Sequence, residues 1–118
     1  MARGIRVLLC SEEKILDFYQ NLFYYFKSLA KQDRKTIGEE IKLVQFRWPL
    51  GMPLVRKIET DLWEVRSNLS GGRIARVFFT VGGSEMALLH GFIKKSQKTS
   101  QKDLNVARNR IDLWQSGR

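Results

Sequence analysis

Two arginines lie in neighbouring stretches whose residues alternate as β-strands do, and their spacing suggests anion binding. Residues 62–69 and 73–81 have this alternation, and the glycine-containing segment 70–72 between them is a turn signal. The apolar residues of one face are Trp63, Val65, Ala75, Val77, Phe79 and Val81. Arg66 and Arg76 then point to the other face, because successive side chains of a strand alternate. Two guanidinium groups on one face can hold a phosphate through paired hydrogen bonds.

The register of this hairpin follows from the length of its loop. A three-residue loop pairs Leu69 with Arg73 and places Arg66 directly opposite Arg76. Two like charges in that position destabilise a hairpin by about 0.2–1 kcal/mol, so we expect something to compensate them. Glu64, on the same face, is one candidate as a structural counter-ion, and a bound anion is the other. The residues leave both interpretations open.

Further cations follow the third strand-like stretch. Lys94, Lys95 and Lys98 belong to a run, residues 94–102, that is rich in lysine and contains no acidic residue. Such a run can be a solvated rim, or it can extend the arginine patch towards a polyanion. The length of this run favours binding of a polyanion but does not establish a site.

Other residues that often carry chemistry are sparse. His90 is the only histidine, which excludes an RNase mechanism with two histidines in one chain, and we interpret it as a packed residue in preference to a general base. Cys10, the single cysteine, ends an apolar run and is interpreted as a buried, inert thiol. Neither a glycine-rich phosphate loop nor a cluster with metal-ligand spacing occurs, so we expect no metal and no cofactor.

The elements that must position these residues define a single domain, residues 1–118, of the α+β class. Residues 12–31 carry apolar side chains at helical spacing, and Ser100 with Asp103 resembles a capping box before the last helix. The segment 54–61 is ambiguous. The predicted elements are a strand at 5–10, helices at 12–31 and 33–46, strands at 62–69, 73–81 and 86–95, and a helix after residue 100. This β-α-α-β-β-β-α order predicts an antiparallel meander sheet with a helical hairpin and a C-terminal helix.

Charge is the most informative bulk property of the chain. The 118 residues carry a formal net charge of +9, with 43% hydrophobic residues. A small domain this basic is typical of proteins that bind a polyanion such as nucleic acid. No stretch is long and apolar enough to span a membrane, and the apolar run near the N-terminus is too short for a signal peptide. We therefore expect a cytoplasmic protein without a membrane partner.

The C-terminal half carries three motifs within residues 62–107. They are Leu62-Trp63-Glu64-Val65-Arg66, then Ile74-Ala75-Arg76-Val77-Phe78-Phe79, then Leu88-Leu89-His90-Gly91-Phe92-Ile93-Lys94-Lys95-Ser96-Gln97-Lys98-Thr99. Together these motifs resemble the RelE/HigB toxin family, and most of all its phage-derived, HigB-like branch. Departures from the branch include Ser100 where proline is usual and Asp103 where glutamate is usual, and both still suit a helix start. Phenylalanines 78 and 79 stand where a tyrosine often occurs, which argues against a mechanism that needs a phenol there.

This resemblance implies the toxin of a toxin–antitoxin pair, held inactive by an antitoxin protein and cutting mRNA on the ribosome when released. The implied reaction is attack by a ribose 2′-OH on its own 3′-phosphate. Arg66 and Arg76 would position the phosphate and stabilise its charge, and Lys95 would assist the leaving or attacking oxygen. Lys94 and Lys98 would hold the backbone of the mRNA or of ribosomal RNA.

Alternatives remain open at this stage. His90 and Glu64 are the candidates for accepting the 2′-OH proton. A ParE-like toxin, which shares the fold but inhibits DNA gyrase without nuclease activity, is the second hypothesis. A non-catalytic nucleic-acid-binding relative is the third.

Overall fold

A computed structural model describes residues 5–11, 14–21, 24–94 and 100–117. Within these ranges the chain forms one six-stranded sheet and two α-helices. The strands are β1 (Arg6–Cys10), β2 (Ile15–Asp17), β3 (Val55–Glu59), β4 (Leu62–Asn68), β5 (Ile74–Gly82) and β6 (Glu85–Lys94), and the helices are α1 (Lys31–Arg47) and α2 (Gln101–Ser116). Short 3-10 turns occur at Tyr19–Asn21, Tyr24–Phe26 and Ser70–Gly72.

Strand order determines where the candidate site lies. The order across the sheet is β2-β1-β6-β5-β4-β3. Strands β3 to β6 form an antiparallel meander, β1 pairs in parallel with β6, and β2 pairs antiparallel with β1. The α+β class is therefore confirmed, but the sheet is mixed and the meander has four strands, because the ambiguous segment 54–61 supplies β3.

The predicted helix at 12–31 is wrong, and with it the helical hairpin. The described part of this stretch forms β2 and two 3-10 turns; residues 12–13 and 22–23 lie outside the described residues. Asp17 accepts a hydrogen bond from the Gln20 backbone N–H at 3.0 Å, and its carbonyl accepts one from the Asn21 side chain at 2.8 Å. Such local bonds compete with helix formation. The apolar side chains that suggested a helix instead pack separately, with Phe18 and Phe26 in the core below α1.

The other helices form close to their predicted positions. The helix expected at 33–46 is α1, and it buries Ile37, Ile41 and Val44. At the start of α2 the Asp103 backbone N–H donates to Ser100 Oγ at 3.2 Å, which confirms the predicted cap. Neither helix combines the length and the apolar character needed to cross a membrane, as far as the described residues extend.

The two helices pack on opposite faces of the sheet, so each face has its own core. Helix α1 covers the face that carries Val65, Val77 and Phe79, as the alternation in β4 and β5 predicts. Helix α2 covers the other face, where Ala107 and Trp114 pack among apolar residues of several strands. The polar side chains of β3, β4 and β5 that concern function lie on this α2 face.

A bulge in β6 decides which residues of that strand reach the α2 face. Phe78 pairs with His90 while the next residue, Phe79, pairs with Leu88, so Leu89 is an extra residue. A bulge reverses the alternation beyond it. His90, and with it the even-numbered residues up to Lys94, consequently point to the same face as the arginines.

Candidate anion-binding site

The hairpin between β4 and β5 has the register that its loop length predicts. Leu69 donates its backbone N–H to the Arg73 carbonyl at 2.9 Å, and Arg66 pairs directly with Arg76. Gly71 and Gly72 have φ angles of 73° and 74°, a region that glycine adopts without steric cost. The predicted juxtaposition of the two arginines is therefore confirmed.

This turn is also tied to the first turn of α1. Arg73 Nη2 lies 2.6 Å from Asp33 Oδ2, and the Ser70 backbone N–H donates to Asp33 Oδ1 at 3.3 Å. Burial alone would raise the pKa of Asp33, but the hydrogen bonds from Ser70 and Arg73 and the charge of Arg73 outweigh it and lower the pKa. The contacts hold the hairpin against α1 and so help to fix its register.

Glu64 lies at the centre of three guanidinium groups. Its Oε2 atom is 3.4 Å from Arg76 Nη1, while its Oε1 atom is 3.6 Å from Arg56 Nη2 and 3.8 Å from Arg66 Nε. The structural counter-ion that the like-charged pair required is thus present. Among the described residues this one carboxylate faces three guanidinium groups, so cationic groups outnumber it in the cluster.

Exposure increases across this cluster from the interior of the sheet to its edge. The side chains of Glu64 and Arg76 are 0% exposed, that of Arg66 is 23% exposed and that of Arg56 is 37% exposed. The order follows the strands, since Arg76 lies on β5, Arg66 on β4 and Arg56 on the edge strand β3. The expected contact of Arg76 with phosphate stays a prediction, and in this structure the Arg76 side chain is 0% exposed.

Arg56 was missed by sequence reasoning because its strand is irregular. The pairing of β3 with β4 shifts between Lys57 and Glu59, which breaks the alternation that would have identified the strand. The aspartate in the turn that follows β3 was a sequence signal that could have shown where this strand ends. Asp61 has a φ of 60°, a conformation that aspartate adopts more readily than most residues, and Leu62 begins the next strand directly after it.

Lys94 ends β6 on the same face as the arginines. It pairs with Ile74, two residues before Arg76 on β5. Its Nζ atom lies 3.5 Å from Asp103 Oδ2 and 5.6 Å from the centre of the Phe92 ring. Part of its charge is therefore balanced by α2. The other two predicted lysines, Lys95 and Lys98, lie outside the described residues.

His90 has the environment of a packed histidine, which is the interpretation favoured from the sequence. Its Nε2 atom lies 2.8 Å from Asp103 Oδ1, and its ring stacks on Phe92 with a centroid distance of 5.4 Å. Burial alone would raise the pKa of Asp103, but hydrogen bonds from Ser100 and His90 and the charges of His90 and Lys94 outweigh it and lower the pKa. The Asp103 carboxylate thus joins the end of β6 to the start of α2.

The single thiol is buried, as expected. Cys10 is 0% exposed, and burial raises its pKa to about 11. The nearby Tyr25 hydroxyl donates to carbonyl oxygens of β1 and β6, at 2.6 Å from Cys10 O and 3.0 Å from Leu88 O, and burial raises the pKa of this phenol. The Cys10 thiol and the Tyr25 hydroxyl therefore both belong to the packed interior of the protein. Among the described residues, no three histidine, cysteine, aspartate or glutamate side chains are grouped as metal ligands would be.

A mixed sheet with a helix on each face and an arginine cluster beside α2 defines a small α+β protein with a candidate anion-binding surface. The chain belongs to the family of phage-derived Gp49-like proteins (DUF891), whose family model matches residues 24–112. That range is most of the chain and contains the whole arginine cluster. The family is a toxin-like one of toxin–antitoxin systems. None of the curated proteins compared with this sequence matches it.

Proposed function

We propose that this chain is the toxin of a toxin–antitoxin pair and a RelE/HigB-like endonuclease that cuts mRNA on the ribosome. The observation that carries the proposal is the cluster in which Arg56, Arg66 and Arg76 share one carboxylate, that of Glu64. Membership of a toxin-like family and the net charge of +9 agree with a ribonucleoprotein target. The proposed partners are an antitoxin protein, mRNA and ribosomal RNA.

The proposed reaction needs positive charge more than it needs a metal or cofactor. The ribose 2′-oxygen forms a bond to phosphorus of its own 3′-phosphate, and the bond from phosphorus to the 5′-oxygen of the next nucleotide breaks. The 2′-OH loses its proton, the departing 5′-oxygen gains one, and the products are a 2′,3′-cyclic phosphate and a 5′-OH. Negative charge grows on the phosphate oxygens in the transition state, where fixed cationic donors stabilise it.

The surroundings of each residue suggest how the predicted roles are divided. Arg66, partly exposed, contacts the phosphate in our proposal, while buried Arg76 holds Glu64 and thereby the other guanidinium groups in place. Lys95 is proposed to assist the attacking or leaving oxygen, and Lys94 and Lys98 to hold the RNA backbone. Glu64 and His90 are poor candidates for the base, because Glu64 is buried among arginines and His90 is held by Asp103.

Expression of the chain without its antitoxin gene, followed by mapping of mRNA ends, tests this function. We expect growth and translation to stop, with new 5′-OH ends inside translated codons. Arg66→Ala should remove both effects while the purified variant stays folded. Lys42→Ala is the matched control, since Lys42 is an exposed cation on α1, across the sheet from the cluster. Intact mRNA with DNA-damage signalling would instead indicate a gyrase inhibitor, and unaffected growth a non-catalytic relative.

A further inference from the structure

We propose that a single RNA backbone phosphate binds between Arg56 and Arg66, with Glu64 and Arg76 beneath as positioning residues. The inference rests on the proposed function for the identity of the polyanion, and it names the two groups that touch it. It assigns a role to Arg56, and it moves Arg76 from contact with the phosphate to support of the pair.

The geometry of the carboxylate points to this pair. Glu64 Oε1 faces both Arg56 Nη2, at 3.6 Å, and Arg66 Nε, at 3.8 Å, whereas Oε2 faces Arg76. Two guanidinium groups that approach the same oxygen atom are close to each other. A phosphate that spans both can accept several charge-assisted hydrogen bonds at once, which a single guanidinium cannot provide.

Two buried donors of the cluster lack a hydrogen-bond acceptor among the described residues. Both distances to Oε1 exceed the length of a hydrogen bond, and within the described residues the Nε atoms of Arg56 and Arg66 have no hydrogen-bond acceptor. Buried donors and acceptors are normally satisfied. The Nε atoms of both arginines and Glu64 Oε1 are buried, so an anion meets only the exposed remainder of the two side chains, which are 37% and 23% exposed.

Access to the pair is from the open edge of the sheet. Arg56 lies on β3, which within the described part of the chain has a sheet neighbour on one side only. At the far end of the same strand Glu59 forms a bidentate ion pair with Arg108 of α2, with distances of 2.7 and 3.0 Å. That pair links α2 to the end of β3 away from Arg56, and we place the RNA strand at the other end, where Arg56 and Arg66 lie.

Binding of an RNA that cannot be cut separates this inference from catalysis. The probe is a short single-stranded RNA with 2′-O-methyl groups, which lacks the attacking hydroxyl, and the full chain is titrated onto it by fluorescence anisotropy at several salt concentrations. Arg56→Ala and Arg66→Ala should each weaken binding by about tenfold and lower the salt slope by about one phosphate contact. Lys42→Ala should leave both quantities close to those of the wild type.

Conservative variants show whether the fork shape of arginine matters. Arg56→Lys keeps the charge but loses the bidentate donors, so it should recover the salt slope but not the full affinity. Arg56→Gln, checked by its melting temperature, replaces the alanine variant if that variant is unstable. Arg76→Met should weaken binding only through the loss of order in the pair, with the salt slope unchanged.

The outcomes distinguish this site from the proposed activity. Binding that depends on Arg56 supports the phosphate site, whether or not the wild type cuts mRNA on ribosomes. If the wild type binds the probe in this way but does not cut mRNA, the proposed endonuclease function is wrong and the phosphate site stands. If folded Arg56→Ala binds the probe with wild-type affinity and slope, the phosphate does not sit on this pair. A lower salt slope for Arg76→Met would also contradict the inference, because it would show that Arg76 itself contacts the phosphate.

Discussion

Removal of the Glu64 carboxylate should destabilise the protein more than any other single change in the arginine cluster. Glu64→Gln keeps the side-chain shape but removes the charge that lies 3.4 Å from the fully buried Arg76 guanidinium. It also turns an amide N–H₂ group towards arginine donors. Breaking a buried ion pair by removal of one partner costs about 3–5 kcal/mol.

The opposite substitution should cost less, because the partners are unequal. Arg76→Met leaves Glu64 with Arg56 and Arg66 on its other oxygen. We expect a loss of about 1–3 kcal/mol, the usual cost of removing one hydrogen-bond partner of a buried group. In the double variant the loss of unfolding free energy should be smaller than the sum of the two single losses, by at least about 1 kcal/mol.

Thermal and urea unfolding followed by circular dichroism measure these differences. For a domain of this size about 1 kcal/mol corresponds to roughly 4 °C, so Glu64→Gln should melt about 12–20 °C below the wild type. Glu59→Gln is the matched control, since it breaks a shorter ion pair, 2.7 Å to Arg108, whose side chains are 36% and 43% exposed. Exposed pairs contribute little, so its melting temperature should stay near that of the wild type.

A melting temperature of Glu64→Gln within about 3 °C of the wild type, a loss of less than about 1 kcal/mol in unfolding free energy, would contradict the role of this buried ion pair. A larger loss for Glu59→Gln than for Glu64→Gln would also contradict it, because burial would then not decide the strength of these pairs.

Two further predictions concern His90 and Asp33. His90→Gln should lower the rate of mRNA cleavage on purified ribosomes by less than about tenfold, whereas loss of a general base costs about 10²–10⁴-fold, and a loss in that range would make His90 catalytic. Because the pKa of Asp33 is lowered in the folded protein, its stabilising effect is complete above the ordinary value of 3.8 and is lost as the pH falls through the folded value. The difference in unfolding free energy between wild type and Asp33→Asn should therefore be constant above about pH 5 and shrink below 3.8, and a difference independent of pH would contradict the role of this carboxylate.

Local patterns were sufficient to predict the hairpin that carries the site. The turn glycines and the alternation of 62–69 and 73–81 determine which side chains oppose each other, and the pairing of Arg66 with Arg76 follows from them. The start of α2 was predicted for the same reason, since Ser100 and Asp103 act within one turn. Each of these features depends on residues close together in the chain.

Other features depend on contacts between distant residues and were not predicted. The parallel pairing of β1 with β6 joins segments about eighty residues apart, for example Leu9 with Leu88, and no local pattern reports it. The extra residue Leu89 lies in a run that is apolar on both faces, so nothing in its composition shows that His90 changes face there. The apolar residues at 12–31 have helical spacing but pack separately in the core, which their spacing alone does not show.

Depth in the sheet, more than the face of a strand, decides which arginine of the cluster is accessible to a ligand. Alternation along β3, β4 and β5 places Arg56, Arg66 and Arg76 on one face, but strand order makes their exposure rise from 0% to 37% towards the edge. The buried Glu64–Arg76 pair is a costly way to stabilise a core, since apolar residues of similar volume often do so as well or better. A buried carboxylate does what apolar residues cannot, because it keeps two further guanidinium groups beside each other at the surface despite their mutual repulsion. The cluster is therefore best explained as a support for the partly exposed pair, and the phosphate that we propose there would add negative charge beside Glu64.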